Sequence, residues 1–595
     1  MGREQFPTRR MASLMRGPLG ALLQRGALVV VIGLLLVALA ARGAVADPGI
    51  TERVSVASDG TEGNGISCPP SIGANGRYVA FRSDASNLVP GDTNATWDVF
   101  VHDRQTGETV RVSVGSAGAQ ANNRSFLPAI SSDGRYVAFI SDASNLVVGD
   151  TNNGPDVFVH DLVTGETTRV SVASDGSEAS YSVDGTVDEP AISSDGRYVA
   201  FRSRSTNLVP EDTNGVIDIF VHDRTTGETA RVSVASDGPQ ANGSSWVAAI
   251  SADGRYVAFE SLASNLVPGD TNGECDIFVH DRQTGETTRV SVASDGTQAD
   301  RWAWYPSISA DGRYVAFEST ATNLVTGDTN GAEFIEDGRD IFVHDRTTGE
   351  TTRVSVASDG TQSSGGASYE CCLSADGRYV TFGSRATNLV PDDTNGCDDT
   401  FLHDRVTGET IRVSVTSDGA QASGYCGAIN GDGRYVAFES WDANLVPNDT
   451  NDALDAFVHD RQPTPQLPYQ FGGFLPPLHD GTSVALPDGP FKRGRTIPVK
   501  FQLLDSEGHL ISDEEAQGLV AELAVFYQEP CNQGDPIDPG DAVPDTGDEF
   551  RYDAEADLFI YNLSTKAVVW YADYTYGLEV LIDGIKAAEV YFSLR

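Results

Sequence analysis

At 595 residues, 40% of them hydrophobic and 8% aromatic, the chain exceeds one ordinary core and composes like a turn-rich globular protein of two or more domains. Its net charge of −44 argues against nucleic acid and anionic membrane surfaces as partners. Seven cysteines with no Cys-x-x-Cys spacing argue against a zinc or redox motif, and in an exported chain their odd number leaves at least one thiol unpaired.

Residues 1–46 read as a signal peptide: arginines at 3, 9, 10, 16 and 25, an apolar run over 26–41, then Ala44-Val45-Ala46 before the cleavage point. An uncleaved anchor is the competing reading, because the apolar run is near the lower limit for a membrane span. Arg9-Arg10 leaves twin-arginine export open beside the general route. Six basic residues and one acid leave with the segment, so the mature chain carries about −49 and has no membrane insertion of its own.

Residues 47–461 are one unit repeated. Gly-Arg-Tyr-Val recurs with its glycine at 76, 134, 196, 254, 312, 377 and 433, so seven units are expected. Each unit reads as four short strands; around Gly254 these are a (248–251), b (256–261), c (276–280) and d (287–292), divided by Asp-Gly and Thr-Gly turns. The a–b and c–d connections are tight, and the long b–c and d–a connections share one face. An orphan d-like strand at 51–56 precedes the first unit, while the seventh stops after strand c at His459-Asp460. The expected fold is all-β: a seven-bladed propeller closed by strand exchange, which removes two sheet edges.

Ser251, Asp253, Gly254, Arg255 and the strand-c run from Asp276 to Val279, echoed in the other units, resemble the TolB-like, WD-like β-propeller repeat family over about residues 51–461. The TolB family has six blades and this chain seven units. The resemblance implies the fold, and roles such as periplasmic accessory factor, binding module or non-catalytic peptidase domain. Residues 462–468 form a proline-rich linker, and 469–595 alternate like strands, ending in a hairpin around Asp583-Gly584. YQFGGFLPPL and TIPVKFQLLDSEG there are similar to a small β-sandwich appended to bacterial surface proteins.

Seven histidines, His102, His160, His222, His280, His344, His403 and His459, share one strand-c position. One imidazole per blade cannot gather three or four ligands around a zinc ion, so hydrogen-bonded core histidines are expected. The anchor arginines, Arg255 among them, should pair with blade carboxylates. The b–c loop presents an Asp-Thr-Asn-x-x-x-Asp run in six units, which makes it a candidate calcium site: Asp92, Asn94 and Asp98; Asp150, Asn152 and Asp156; Asp212, Asn214 and Asp218; Asp270, Asn272 and Asp276; Asp393, Asn395 and Asp399; Asp449, Asn451 and Asp455. The alternative is that these short polar side chains cap the loop on itself.

The fifth unit carries an insertion at 331–339 that contains Phe334. Phe126, Trp246, Trp304, Tyr369 and Tyr425 each stand eight residues before an anchor glycine, which reads as a packing ring at the entrance to strand a. Trp302 and Tyr305 break that pattern and, with Phe334, are the expected ligand contacts. No Gly-x-Ser-x-Gly elbow is present, and Ser-Ala-Asp-Gly-Arg-Tyr lacks the offsets of a sialidase Asp box. The expectation is a non-catalytic secreted, surface or periplasmic protein that binds or scaffolds a protein or glycan through its long-loop face. The alternative is an extracellular propeller enzyme acting on polysaccharide through loop carboxylates. Closure is also expected to bring Cys68 near Cys426.

Overall fold

The computed structural model describes residues 49–152, 154–180, 190–330 and 338–461, and seven strands beyond residue 469. The signal segment and Phe334 lie outside the described residues. Among those described, every regular element is a strand and no helix is long and apolar enough to cross a membrane.

The chain divides into two compact units, Met1–Gln462 and Pro463–Arg595. In the second, Gln470–Phe474, Thr496–Leu504, Leu558–Ser564 and Arg551–Asp553 form one sheet, in that order. Ala521–Gln528, Thr575–Ile582 and Ile585–Ser593 form another. The packing expected of a sandwich depends on residues outside the described ones.

In the first unit, six sheets each take their four strands consecutively. In the fourth, Ser245–Ile250, Tyr256–Ser261, Asp276–Asp281 and Glu286–Arg289 pair antiparallel, with Tyr256 opposite Asp281 and Ser261 opposite Asp276. The seventh sheet recruits its outer strand from the other end of the chain: Ile50–Arg53 lies against Asp455–Asp460, with Ile50 opposite Asp460 and Arg53 opposite Phe457. The chain is a seven-bladed β-propeller.

Strand b explains how the blades stack. Its alternation sends Val257 and Phe259 toward the third blade, where they join Ala200, Ile219 and Val221, while Ala258 faces Val315, Phe317 and Phe342 of the fifth. A large side chain of one blade thus meets the small alanine of its neighbour. Phe259 and Phe278 stack with ring centroids 6.0 Å apart and are fully buried. Removing one such phenylalanine from a close-packed core costs about 3–5 kcal/mol.

The hairpins fix the axis. Asp253 accepts the Ser251 hydroxyl at 2.7 Å and the Arg255 amide at 2.9 Å, and Gly254 turns the chain at φ 71°. A Cβ on Gly254 would stand 2.1 Å from the Tyr198 ring of the previous blade, so glycine is required by space as well as by φ. The residue before each such aspartate, or before Asn75 in the first blade, donates its N–H to the matching carbonyl one blade on. The series runs Ala74, Ser132, Ser194, Ala252, Ala310, Ala375, Gly431 and back to Ala74, with N···O distances of 2.8–3.2 Å. This closed ring of seven bonds places the a–b turns, and so strand a, around the axis at the tight-turn end.

Candidate binding site at the long-loop end of the channel

Contacts within each blade and at the junctions between blades use most of the repeated polar residues. Arg255 holds Asp281 through two bonds, Nε to Oδ1 at 2.9 Å and Nη2 to Oδ2 at 2.6 Å, and the same fork recurs in all seven blades. The pair holds the carboxyl well below the usual aspartate range, through Arg255 before any other cause. Arg282 lies over the Tyr198 ring of the preceding blade at 4.4 Å and donates to the Gly254 carbonyl.

The histidines are buried, as expected from their spacing. Thr287 donates its hydroxyl to the Val234 carbonyl of the preceding blade at 2.5 Å, so it must accept from His280 Nδ1–H at 2.9 Å. That fixes the neutral tautomer. Burial pushes His280, His344, His403 and His459 down to about 4.

The b–c loops are organised around a cation that belongs to the chain. Arg289 of strand d puts Nη1 3.3 Å from both Asp270 Oδ1 and Asp276 Oδ2. Asn272 donates to Asp276 Oδ2 at 3.0 Å and accepts the Glu274 amide at 3.2 Å, while Ser291 donates to Asp276 Oδ1 at 2.6 Å. Arg53, Arg111, Arg169, Arg231 and Arg412 take the same place in the other five loops proposed for calcium. The interrupted fifth loop keeps the arrangement too, with Arg353 between Asp328 and Asp340. The donor set does not fit calcium as it stands: an amide N–H and a guanidinium occupy the carboxylate lone pairs that an ion would need. This geometry is that of self-capping; the repeated strand-d arginine was the signal in the sequence, and it was missed.

The aromatic positions need a correction. Strand a begins three residues earlier than read, at Ser245 in blade four, so Trp246, Trp304, Tyr369 and Tyr425 lie within it and not in the d–a connection. A bulge follows each, shifting the register between Trp246 and Ala248 and between Trp304 and Ser307. The bulge residues Leu127, Tyr305 and Glu370 have φ of 53°, 47° and 50°, a left-handed conformation that side chains other than glycine seldom adopt.

Opposite these aromatics stands the fifth residue of strand b. That strand reads Tyr-Val-Ala-Phe-x-Ser, with threonine for alanine in blade six, and x is in turn Arg82, Ile140, Arg202, Glu260, Glu318, Gly383 and Glu439. Glu260 pairs across from Trp246, and Glu318 across from Trp304. Glu260 Oε2 accepts the Tyr305 amide at 3.1 Å and Glu318 Oε1 the Glu370 amide at 3.4 Å, so each buried carboxylate holds the bulge of the next blade. Where blade seven meets blade one, the bulge residue is Pro69, which has no N–H, and Glu439 Oε2 is buried without a hydrogen-bond partner among the described residues. Burial before all else, then the nearby Glu370 carboxylate, pushes Glu439 up to about 7; burial does the same to Glu318, against the opposing Arg339 guanidinium 3.1 Å away.

Trp302 is 38% exposed and Tyr305 42%. Trp302 touches Trp304, their ring centroids 5.6 Å apart at 33°. Both indoles line a cavity of about 240 Å³ with Trp246, Arg202, Glu260 and Cys275, so Trp304 is part of a recess and not only of a packing ring. Tyr305 stands beside it on the bulge. Cys275 is buried, which pushes its thiol far up and leaves it unreactive. Cys68 is also a free, buried thiol, while the Cys426 side chain expected near it lies outside the described residues.

No family model matches this chain, and no curated protein matches it. Solved structures do. A protein assigned as TolB from Agrobacterium tumefaciens is 14% identical, covering 49% of this chain and 80% of its own, at a TM-score of 0.29. The WD40 repeats of RRP9 are 7% identical over 69% of this chain and 97% of theirs, at 0.35. A prolyl endopeptidase is 12% identical over 74% of this chain and 55% of its own, at 0.40. TolB and WD40 propellers are thus among its structural neighbours. At these scores they say nothing about function, and the blade count rests on the strand register.

Proposed function

We propose that the protein is an exported, non-catalytic propeller that binds or scaffolds a protein or glycan partner at the long-loop end of its channel. One observation carries the reading. The blades repeat their junction residues almost unchanged, while the facing positions at this end, eight residues before the anchor glycine in the six blades described there and the fifth of strand b, hold Cys, Phe, Trp, Tyr, Arg, Ile, Glu and Gly. A scaffold that solves one packing problem seven times has no need to vary there; a surface fitted to an asymmetric partner does.

The test is a glycan array and an envelope-protein pull-down with the mature chain. Trp302→Ala with Tyr305→Ala should weaken capture by about 1–3 kcal/mol per anchor. Val163→Ala with Val406→Ala, both exposed on the tight c–d turns, should not. Capture sensitive only to the turn pair would reverse the assignment of faces.

A second reading, a propeller enzyme acting on polysaccharide, draws on Glu318 and Glu439, which sit near 7 beside the exposed Glu370. A carboxyl partly protonated at neutral pH suits a general acid. The b–c loop carboxylates first considered for that role are tied to arginines. Release of reducing sugar, abolished by Glu439→Gln, would favour this reading over simple binding.

A further inference from the structure

We infer that the cavity formed by blades three to five is a subsite for one neutral pyranose ring of a glycan, an inference that rests on the long-loop face being the binding face. Three indoles, Trp246, Trp302 and Trp304, make up much of its wall. Carbohydrate rings offer C–H faces to indoles and hydroxyls at their edges, and about 240 Å³ is enough for one such ring.

Two further features narrow the class. Arg202 and Glu260 both line the cavity and are both buried, each 7% exposed. A carboxylate ligand would gain from Arg202 and be repelled by Glu260, and a quaternary ammonium would meet the reverse. A neutral diol meets no such opposition: its hydroxyls donate to a carboxylate and accept from a guanidinium beside the partners these two groups already hold. Trp302 and Trp304 are inclined at 33°, so they do not form the parallel plates that would clasp a flat nucleobase. A puckered ring fits the angled wall. Cys275, with its thiol held protonated, adds no nucleophile, so the cavity reads as a place to bind.

Three of the chain's six tryptophans line this cavity, so intrinsic fluorescence reports on it directly. The experiment titrates the mature full-length chain with cellohexaose, mannohexaose and chitohexaose, and in parallel with hexagalacturonate and choline chloride. A saturable change with at least one neutral hexasaccharide is expected. Trp302→Ala, at an exposed position, should weaken it at least tenfold with an unchanged circular dichroism spectrum, and Trp302→Phe should restore part of it.

Saturation by hexagalacturonate alone or by choline alone would overturn the neutral-ring assignment. So would no response to any of the five probes. If none responds while a captured protein partner still depends on Trp302 and Tyr305, the glycan subsite falls and the long-loop reading stands. If capture depends on Val163 and Val406 instead, the long-loop reading falls with it.

Discussion

Replacing Arg289 with methionine tests whether the b–c loops are held by their own cation. Arg289 is 11% exposed at its side chain, Asp270 5% and Asp276 0%, so the change leaves two carboxylates in a dry site without their counter-charge. Breaking a buried pair from one side costs about 3–5 kcal/mol. For a body of roughly 410 residues, an unfolding entropy near 2.1 cal/mol/K per residue makes that a fall of about 3–6 °C in melting temperature. Scanning calorimetry on the mature chain reads it. Adding Asp270→Asn and Asp276→Asn to the methionine variant should recover much of the loss, because a fully neutral site no longer buries an unpaired charge. Millimolar calcium should leave the wild-type curve where excess chelator leaves it, since the guanidinium already fills the centre of the loop. A fall below 1 °C for Arg289→Met, or a calcium-dependent rise in the wild type, would refute this account.

Other expectations follow from the same junctions. Deleting residues 47–57 strips the ladder from Asp455–Asp460, takes Thr51 from His459 and takes Arg53 and Ser55 from Asp455; melting should fall by more than 10 °C by the mechanisms above, and an unchanged melt would sink the closure. Gly254→Ala meets the Tyr198 ring, whereas Gly285→Ala, at φ 77°, meets nothing within 4 Å; their urea midpoints should differ, with costs of about 3 and about 1 kcal/mol. His280, His344, His403 and His459 are neutral when folded and titrate near 6.5 when unfolded, so the contribution of these four is complete above pH 6.5 and is lost as pH falls toward 4. The loss is on the order of 1–2 kcal/mol per histidine at pH 5, and His280→Asn, which keeps a donor for Thr287 and removes the titration, should flatten a melting-versus-pH profile. Glu439 has the opposite sign, since its raised value penalises the folded state progressively as pH rises from about 4.5 and fully above about pH 7; Glu439→Gln should stabilise at pH 8 by on the order of 1–3 kcal/mol and do little at pH 4.5, and equal effects at both would contradict the burial argument.

The fold was legible because its signals are local. Glycine anchors, Asp-Gly turns and alternating β-branched and aromatic residues lie within a few positions of each other, and the orphan strand at residues 50–53 needs only a count of strands per unit to find its partner. The candidate site was harder to read. Arg289 neutralises carboxylates 13 and 19 positions earlier on another strand, a pairing that exists only once strands c and d are in register. Asp270, Asn272 and Asp276 by themselves therefore looked like a ligand set for a metal. Strand a was read too short because its bulge interrupts the alternation after Trp246 and Trp304, which hid that Trp304 shares a recess with Trp302. Strand-b position five carries charged residues of either sign in five of the seven blades, which in sequence look like solvated surface; opposite an indole near the axis, Glu260 is almost completely buried.

Internal repetition also supplies a control that a single-copy fold lacks. Where all seven blades agree, as in the Arg255–Asp281 fork or the His280–Thr287 bond, the residue answers a demand made in every blade, and function need not be invoked. Where one blade departs, the cost of departure becomes visible. Pro69 removes the amide that Tyr305 and Glu370 supply elsewhere, and the consequence is a buried carboxylate oxygen at Glu439 with no donor among the described residues. An unsatisfied buried acceptor costs about 1–3 kcal/mol, more when charged. The same chain could have kept the donor, since six of its blades do not place proline there. Leu162, where the other six blades carry the arginine that covers the preceding blade's tyrosine, is a departure at the tight-turn end; the larger changes of size and charge fall at the other end, on two strand positions that contribute to the tryptophan recess. Scaffold drift alone would spread changes of size and charge evenly over both ends. Their concentration where the long loops meet the axis is what a binding surface predicts.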